Sequence, residues 1–405
     1  MAVVADSAIE VTDDRLAARN ALVLAVAQAL AGGNNTVIVA TTGIIGSMLA
    51  PDPGLATLPI SVMVVGMWIG TLPVGMLAKA FGRRFTLQVG SAFGVLSGVI
   101  SCTAMLSGSF FLLLAGTLCG GLYAAAHQSY RFAATDTASV HFRAQAVAWV
   151  LAGGVFAAVL GPQIVIFTKD IWPAYLFAAT YLAQSACAIV AAIVLAFLRI
   201  PRPAIPHTFT DGRPLVDIVS KPPFIVAVAC GVASYVMMNM MMTAAPLAMV
   251  MCNHSVGDAA LGIQWHVIGM YAPSFFTGAL IARFGLRAIM ATGLALIVAA
   301  ATVGFLGIGL WNFWVSLVLL GIGWNFGFIC ATTLLTECHG PRERNKVQAL
   351  NDFLIFGSMA IASFSSGALL TRFGWSAINE VVYPVVIAAA LLLAWGTFAR
   401  RPNPV

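Results

Sequence analysis

About twelve stretches of roughly 20 apolar residues, separated by short polar turns, leave this chain one environment in which to fold. They run near 21–48, 58–80, 85–106, 109–133, 144–168, 173–198, 223–250, 260–283, 287–309, 311–336, 349–371 and 377–399. As a helix rising about 1.5 Å per residue, each can cross a hydrocarbon core of about 30 Å with its backbone hydrogen bonds closed internally. Apolar residues make up 60% of the 405 and charged ones 8%, with a mean hydropathy of +0.96. So few charges could not cover a water-soluble protein of this length. The expectation is an all-α membrane protein of twelve transmembrane helices embedded in a lipid bilayer.

The net charge of +6 does not indicate a nucleic-acid partner, because Lys and Arg sit at segment ends. With the N-terminus inside, all of the 20 Lys and Arg except Lys169 and Arg372 face the cytoplasm, a strong positive-inside bias. Both termini are therefore expected to be cytoplasmic. Residues 1–20 are polar and of mixed charge, which reads as a tail and not a cleaved signal. A Pro-rich basic link, 199–222, separates six segments in 21–198 from six in 223–399 and is too short for a folded domain. Residues 400–405 form a second tail. Seven scattered cysteines with no C-x-x-C argue against a disulfide framework. No Walker-type loop, nucleophile elbow or H-E-x-x-H is present, so neither an ATP-driven pump nor an enzyme is expected, nor a prosthetic group.

Sulfur is concentrated in one place. Between Met237 and Met251 lie seven of the sixteen methionines, and His266-Val-Ile-Gly-Met270 opens the next apolar segment. Residues four apart share a helix face, so Met238 pairs with Met242, Met237 with Met241, and His266 with Met270. Thioether and imidazole without a carboxylate suit a soft ion such as Cu(I). The same stripe also serves as ordinary packing, since Met fills gaps in apolar helices. Cys230 and Cys252 flank the run and are secondary candidates. Pro246 and Pro273 each free a carbonyl one turn earlier, so both helices are expected to break at the level of the sulfur.

Gly75-Met-Leu-Ala-Lys-Ala-Phe-Gly-Arg-Arg84 returns as Gly278-Ala-Leu-Ile-Ala-Arg-Phe-Gly-Leu-Arg287, with a weaker echo in Gly367–Gly374. Half-chain repeats of this kind mark transporters with rocking halves. Polar residues interrupt several segments: Gln28, Asn34 and Asn35, then His127 to Arg131, then Trp324 and Asn325. Asn35, Trp324 and Asn325 are candidates for a substrate path, although interhelical hydrogen bonding serves the amides equally. Arg131 and Asp352, near segment ends, read as gating or structural. No acid lies mid-segment, which leaves no obvious proton relay.

Over nearly its whole length the chain resembles the major facilitator superfamily, whose loop between helices two and three is similar to Gly75–Arg84 except that Lys79 replaces the usual acid. Gly153, Gly154, Gly161 and Pro162 resemble its Gly- and Pro-rich fifth helix. Within the superfamily, Met238-Asn-Met-Met-Met242-Thr-Ala-Ala-Pro246 followed by His266-x-x-x-Met270 resembles the CcoA-type bacterial copper importers. That resemblance implies copper as transported substrate, bound by Met238, Met242, His266 and Met270. It further implies a bacterial inner membrane and delivery to cytochrome oxidase assembly. It favours Met238 and Met242 over Met237 and Met241. The alternative is a carrier of a small organic solute such as riboflavin, with Trp265, Trp324, Asn325, Tyr123 and Asn35 supplying aromatic and amide contacts. A membrane receptor or sensor is a third reading, without the soluble output domain such a protein would carry.

Overall fold

The computed structural model describes residues 13–139, 141–200, 213–340 and 343–398. Most of the 1–20 tail, the middle of the 199–222 link and the 400–405 tail lie outside them. Asp13 caps the first helix by accepting from the backbone N–H of Arg15 (2.9 Å) and Leu16 (3.1 Å), so helix begins inside the stretch read as tail. In chain order the elements are α1 (Asp14–Leu49), α2 (Leu58–Phe81), α3 (Arg83–Ser107), α4 (Phe110–Gln128), the single turn α5 (Tyr130–Ala133), α6 (Arg143–Thr168) and α7 (Ala178–Leu195). The short α8 (Leu215–Val219) precedes α9 (Pro222–Met251), α10 (Val256–Tyr271), α11 (Ser274–Phe284), α12 (Leu286–Phe305), α13 (Leu310–Thr336) and α14 (Arg344–Phe398).

Among the described residues ten helical stretches are long and apolar enough to cross a membrane, and α10 with α11 forms one more, bent by 44°. The 55-residue α14 leaves helical geometry at Gly374 (φ 79°, ψ −175°) and is therefore two spans, which completes twelve. Gly82 and Gly285 break the chain in the same way, both at φ 85°. These are the closing glycines of the three Phe-Gly echoes, and the left-handed region they occupy is one that side-chain-bearing residues rarely adopt.

The repeat extends into the packing. A Cβ on Gly121 of α4 would lie 2.1 Å from the carbonyl oxygen of Met63 on α2, and one on Gly321 of α13 would lie 2.3 Å from that of His266 on α10. Met63 and His266 hold corresponding positions in the two halves. Helices meet backbone to backbone at such points because, in lipid, close packing rather than hydrophobic burial drives their association. The halves touch through α1 on α9, α2 on α14 and α6 on α10. The contacts include Ser61–Ser363 (3.0 Å between hydroxyl oxygens) and Gln163 Nε2 donating to Gln264 Oε1 (2.9 Å).

One expectation fails at this level. Pro246 lies inside an unbroken α9, whereas the chain does break at Ala272–Pro273, between α10 and α11. The two prolines differ in how the chain continues beyond them. After Pro246 the helix runs on to Met251. After Pro273 it restarts in a new direction, and the Asn325 amide takes up the carbonyl of Met270 at the break.

Candidate functional site

Between the halves lies a cavity of two joined lobes, about 80 Å³ and 110 Å³, that share Gln28, His127, Gln128, Tyr235, Met270 and Tyr271. Drug-sized ligands occupy sites of roughly 300 Å³ or more, so a ligand of that size enters only as the walls part. The smaller lobe adds amides and thioethers: Asn35 and Asn239, with Met63, Met67, Met238, Met242 and Met359. The larger lobe lies towards the end of the bundle that carries Asp13 and Thr137, and it adds Arg131, Trp324, Asn325, Phe328 and Phe356. Among the residues lining both lobes, Arg131 carries the one formal charge.

Aromatic rings dominate the larger lobe. Trp324 stacks on Phe328 (5.2 Å between centroids, 13° between planes), and Tyr235 meets the edges of Trp324 (5.3 Å), Phe328 (5.0 Å) and Phe356 (5.9 Å). Edge-to-face and offset arrangements of this kind are the favourable ones for ring quadrupoles, and they hold the set rigid. Gln28 Nε2 donates to His127 Nε2 at 3.0 Å while His127 Nδ1 donates to the Ala124 carbonyl at 3.3 Å, which fixes one neutral tautomer. Three buried polar atoms on lining residues lack a partner: Asn35 Oδ1 in the smaller lobe, Arg131 Nε and Trp324 Nε1 in the larger.

The structure divides the proposed metal ligands. Met238, Met242 and Met270 line the cavity together, but His266 does not. Its ring is fully buried against α13, with Nδ1 donating to the Leu317 carbonyl at 2.8 Å and Nε2 unpartnered. Met237 and Met241 are buried on other faces of α9 and are absent from the cavity wall. Cys230 faces α14, its thiol 3.8 Å from the Ala389 carbonyl, and Cys252 closes the end of α9. Among the described residues no cluster of three His, Cys, Asp or Glu is arranged to hold a metal ion.

The other candidates separate as well. Asn325 lines the larger lobe, but its amide is committed: Nδ2 donates to the Met270 carbonyl (2.6 Å) and Ser274 Oγ (2.7 Å), and Oδ1 accepts from Thr277 Oγ1 (2.7 Å). It thus clamps the break between α10 and α11. Trp265 is 43% exposed on the outside of the bundle, and Tyr123 is buried between α3 and α4 against Gly94, away from the cavity. Asp352 accepts from Asn351 Nδ2 at 3.2 Å and is not ion-paired with Arg131. Tyr235, Asn239, Tyr271, Phe328, Phe356, Met63 and Met67 line the cavity without having been singled out. Of these, Met63 and Met67 carry the same four-residue spacing as Met238 and Met242, a signal present in the sequence.

The comparisons give this geometry relatives. A family model described as "Major Facilitator Superfamily" matches residues 24–272 and 229–405. "Riboflavin transporter RfnT" of Brucella anthropi is 47% identical over 377 residues, 93% of this chain and 95% of that protein. "Uncharacterized MFS-type transporter YdeG" of Bacillus subtilis is 28% identical over 379 residues, 90% of this chain and 88% of that one. Among solved structures, a D-xylose-proton symporter matches with a TM-score of 0.72 at 14% identity, over 92% of this chain and 96% of that one. A bacterial homolog of the human lysosomal transporter Spinster, inward-facing and occupied, matches with a TM-score of 0.68 at 16% identity, over 95% and 98%. At such identities the structural likeness carries the fold alone. The riboflavin transporter overturns the expectation of copper import: the soft-ligand spacing read from α9 and α10 belongs to a chain whose 47%-identical relative moves an organic solute. The physical reason lies in the same helices, where a lining set of thioethers without His266 serves as an adaptable apolar wall.

Proposed function

The chain belongs to the major facilitator superfamily, and on that premise we propose that it carries riboflavin, or a closely related neutral flavin, across the bacterial inner membrane. The observation that carries the reading is 47% identity over 93% of the chain to a riboflavin transporter. The cavity chemistry agrees with it. A tricyclic ring needs flat apolar surface, which Trp324, Tyr235, Phe328 and Phe356 supply. A polyhydroxylated chain needs amides, which Gln28, Asn35, Gln128 and Asn239 supply. Methionine side chains with several rotatable bonds let the wall part and close around such a ligand.

In this reading the halves 21–198 and 223–399 rock about the cavity with the 199–222 link as tether, both termini cytoplasmic. Asn35 and Trp324 contact the flavin. Met238, Met242 and Met270 form its apolar bed. Arg131 lies at the cytoplasmic mouth, with Asp352 near it. The test is growth and uptake. Expressed in a riboflavin auxotroph that lacks its own carrier, the chain should restore growth on micromolar riboflavin and accumulate the fluorescent vitamin. Cells that accumulate none, with the protein present in the membrane, would sink the reading.

A further inference from the structure

The unpartnered polar atoms of the cavity are not distributed evenly. The smaller lobe holds an acceptor without a donor, Asn35 Oδ1. The larger lobe holds two donors without an acceptor, Arg131 Nε–H and Trp324 Nε1–H. In folded proteins most buried polar atoms are paired, and leaving one unpaired is costly. Three in the walls of one cavity, sorted by lobe and by sense, fit a ligand that reaches them as the walls part: hydroxyl donors in one lobe, carbonyl acceptors in the other, and a flat ring against the aromatic cluster.

We infer that the cavity fixes the orientation of its flavin, with Arg131 and Trp324 reading the dicarbonyl edge of the ring and Asn35 reading the ribityl hydroxyls. The inference rests on the proposed flavin substrate and adds to it the residues that decide specificity. A neutral flavin carries its two carbonyl oxygens at the pyrimidine end of the ring and its hydroxylated chain on a nitrogen of the central ring. Carbonyl acceptors and hydroxyl donors thus occupy separate regions of the ligand, as the unpaired donors and the unpaired acceptor occupy separate lobes of the cavity. Stacking favours the same pose, because Trp324, Phe328 and Phe356 lie in the lobe that holds Arg131. A phosphate on the chain fits less well. A dianion buried among neutral amides requires more than the single cation this cavity offers.

The experiment compares riboflavin with lumiflavin, which keeps the ring and its dicarbonyl edge but carries a methyl group in place of the ribityl chain. Riboflavin uptake and its inhibition by lumiflavin are measured at matched membrane levels of each variant. Arg131→Met should raise the KM for riboflavin and the inhibition constant of lumiflavin together, each about tenfold, the scale of a lost hydrogen bond to a charged group. Arg131→Lys, which keeps charge but not the Nε donor, should fall between Arg131→Met and the parent. Trp324→Phe keeps a stacking ring and loses the N–H, so both constants should rise about threefold. Asn35→Ala should raise only the riboflavin KM, leaving inhibition by lumiflavin at the parental value. The reverse pattern, with Asn35→Ala weakening lumiflavin and Arg131→Met sparing it, overturns the orientation. So does selective loss of flavin mononucleotide uptake in Arg131→Met, which would make Arg131 a phosphate site. A parent that transports no riboflavin refutes the flavin substrate itself, and the inference with it.

Discussion

His266 shows how a single residue can satisfy a motif and still serve another purpose. Four residues before Met270, it has the spacing of a ligand, yet its ring is spent on the Leu317 carbonyl and its own carbonyl abuts Gly321. Replacing it by Ala should cost about 1–3 kcal/mol, because a buried ring and its hydrogen bond to the Leu317 carbonyl are lost from the bundle interior. The loss belongs in the thermal midpoint of the purified protein. Riboflavin affinity of the variant that remains folded should stay within about twofold of the parent, since the side chain does not reach the cavity. A large loss of affinity at unchanged midpoint would return His266 to the site. Spacing alone could not have separated these roles. Periodicity places His266 and Met270 on one side of α10, but only the direction of the neighbouring α13 decides which of them faces the cavity. The resemblance picked out Met238 and Met242 over Met237 and Met241, and polarity within apolar segments picked out Asn35 and Trp324, and all four residues line the cavity. Tyr235 and Phe356 could not be picked out, because an aromatic residue in a membrane helix has no distinguishing pattern until its partners are known.

Among the elements, the bend between α10 and α11 is the one that composition announced and α9 is the one it misjudged. Both contain a proline, and proline in a membrane helix is tolerated where neighbours take up the freed carbonyl. At the 44° bend Asn325 reaches from α13 to the carbonyl of Met270, next to the Gly269 carbonyl that Pro273 frees, and to Ser274. Asn325→Leu removes two donors and one acceptor at once, so α11 should lose its fixed angle to α10 and Met270 its place in the wall. Transport should fall by about tenfold or more, corresponding to at least about 1.4 kcal/mol. Asn325→Gln, with the same groups on a longer stem, should recover part of it. Equal activity in all three proteins would show that the clamp is dispensable. The link between halves has its own anchor. Arg213 Nε and Nη2 donate to Glu343 Oε1 and Oε2, both at 2.7 Å, and Glu343 accepts also from the Gly340 N–H. The Arg213 guanidinium, with these backbone donors, holds the Glu343 carboxyl well below the usual carboxylate range. A depressed acid contributes stability above its unfolded pKa, about 4.3, and loses it as pH falls towards the folded value. The difference in thermal midpoint between the parent and Glu343→Gln should therefore be constant from about pH 8 to 6 and shrink only below about pH 4.5. A difference that already fades between pH 8 and 6 would mean the pair is not what anchors the link.

For the whole molecule, the fold was the most legible part, since twelve apolar segments and three Phe-Gly echoes leave few architectures open, while the conformational state left no mark in sequence. The structure shows the end remote from Asp13 closed by direct contact of the two halves. A Cβ placed on Gly43 of α1 would lie 3.7 Å from Leu247 Cβ of α9, and Ser61 of α2 bonds Ser363 of α14. The tightest point is Gly367 on α14, where a Cβ would come within 1.9 Å of Thr57 Oγ1, at the start of α2. Gly367→Ala therefore cannot reach this closed arrangement without displacing Thr57, and it should shift the population towards the state open at that end. Uptake of the proposed flavin should drop. With both termini cytoplasmic as proposed, a cysteine introduced at Leu247, which is only 3% exposed here, should become reactive to a membrane-impermeant thiol reagent added outside the cell. Thr57→Ala removes the obstructing hydroxyl, so adding it to Gly367→Ala should restore both closure and uptake. This mutual rescue distinguishes a steric latch from general damage, because two destabilising changes would otherwise accumulate. Unchanged labelling in Gly367→Ala, or labelling that Thr57→Ala fails to reverse, would place the seal elsewhere along α1 and α9.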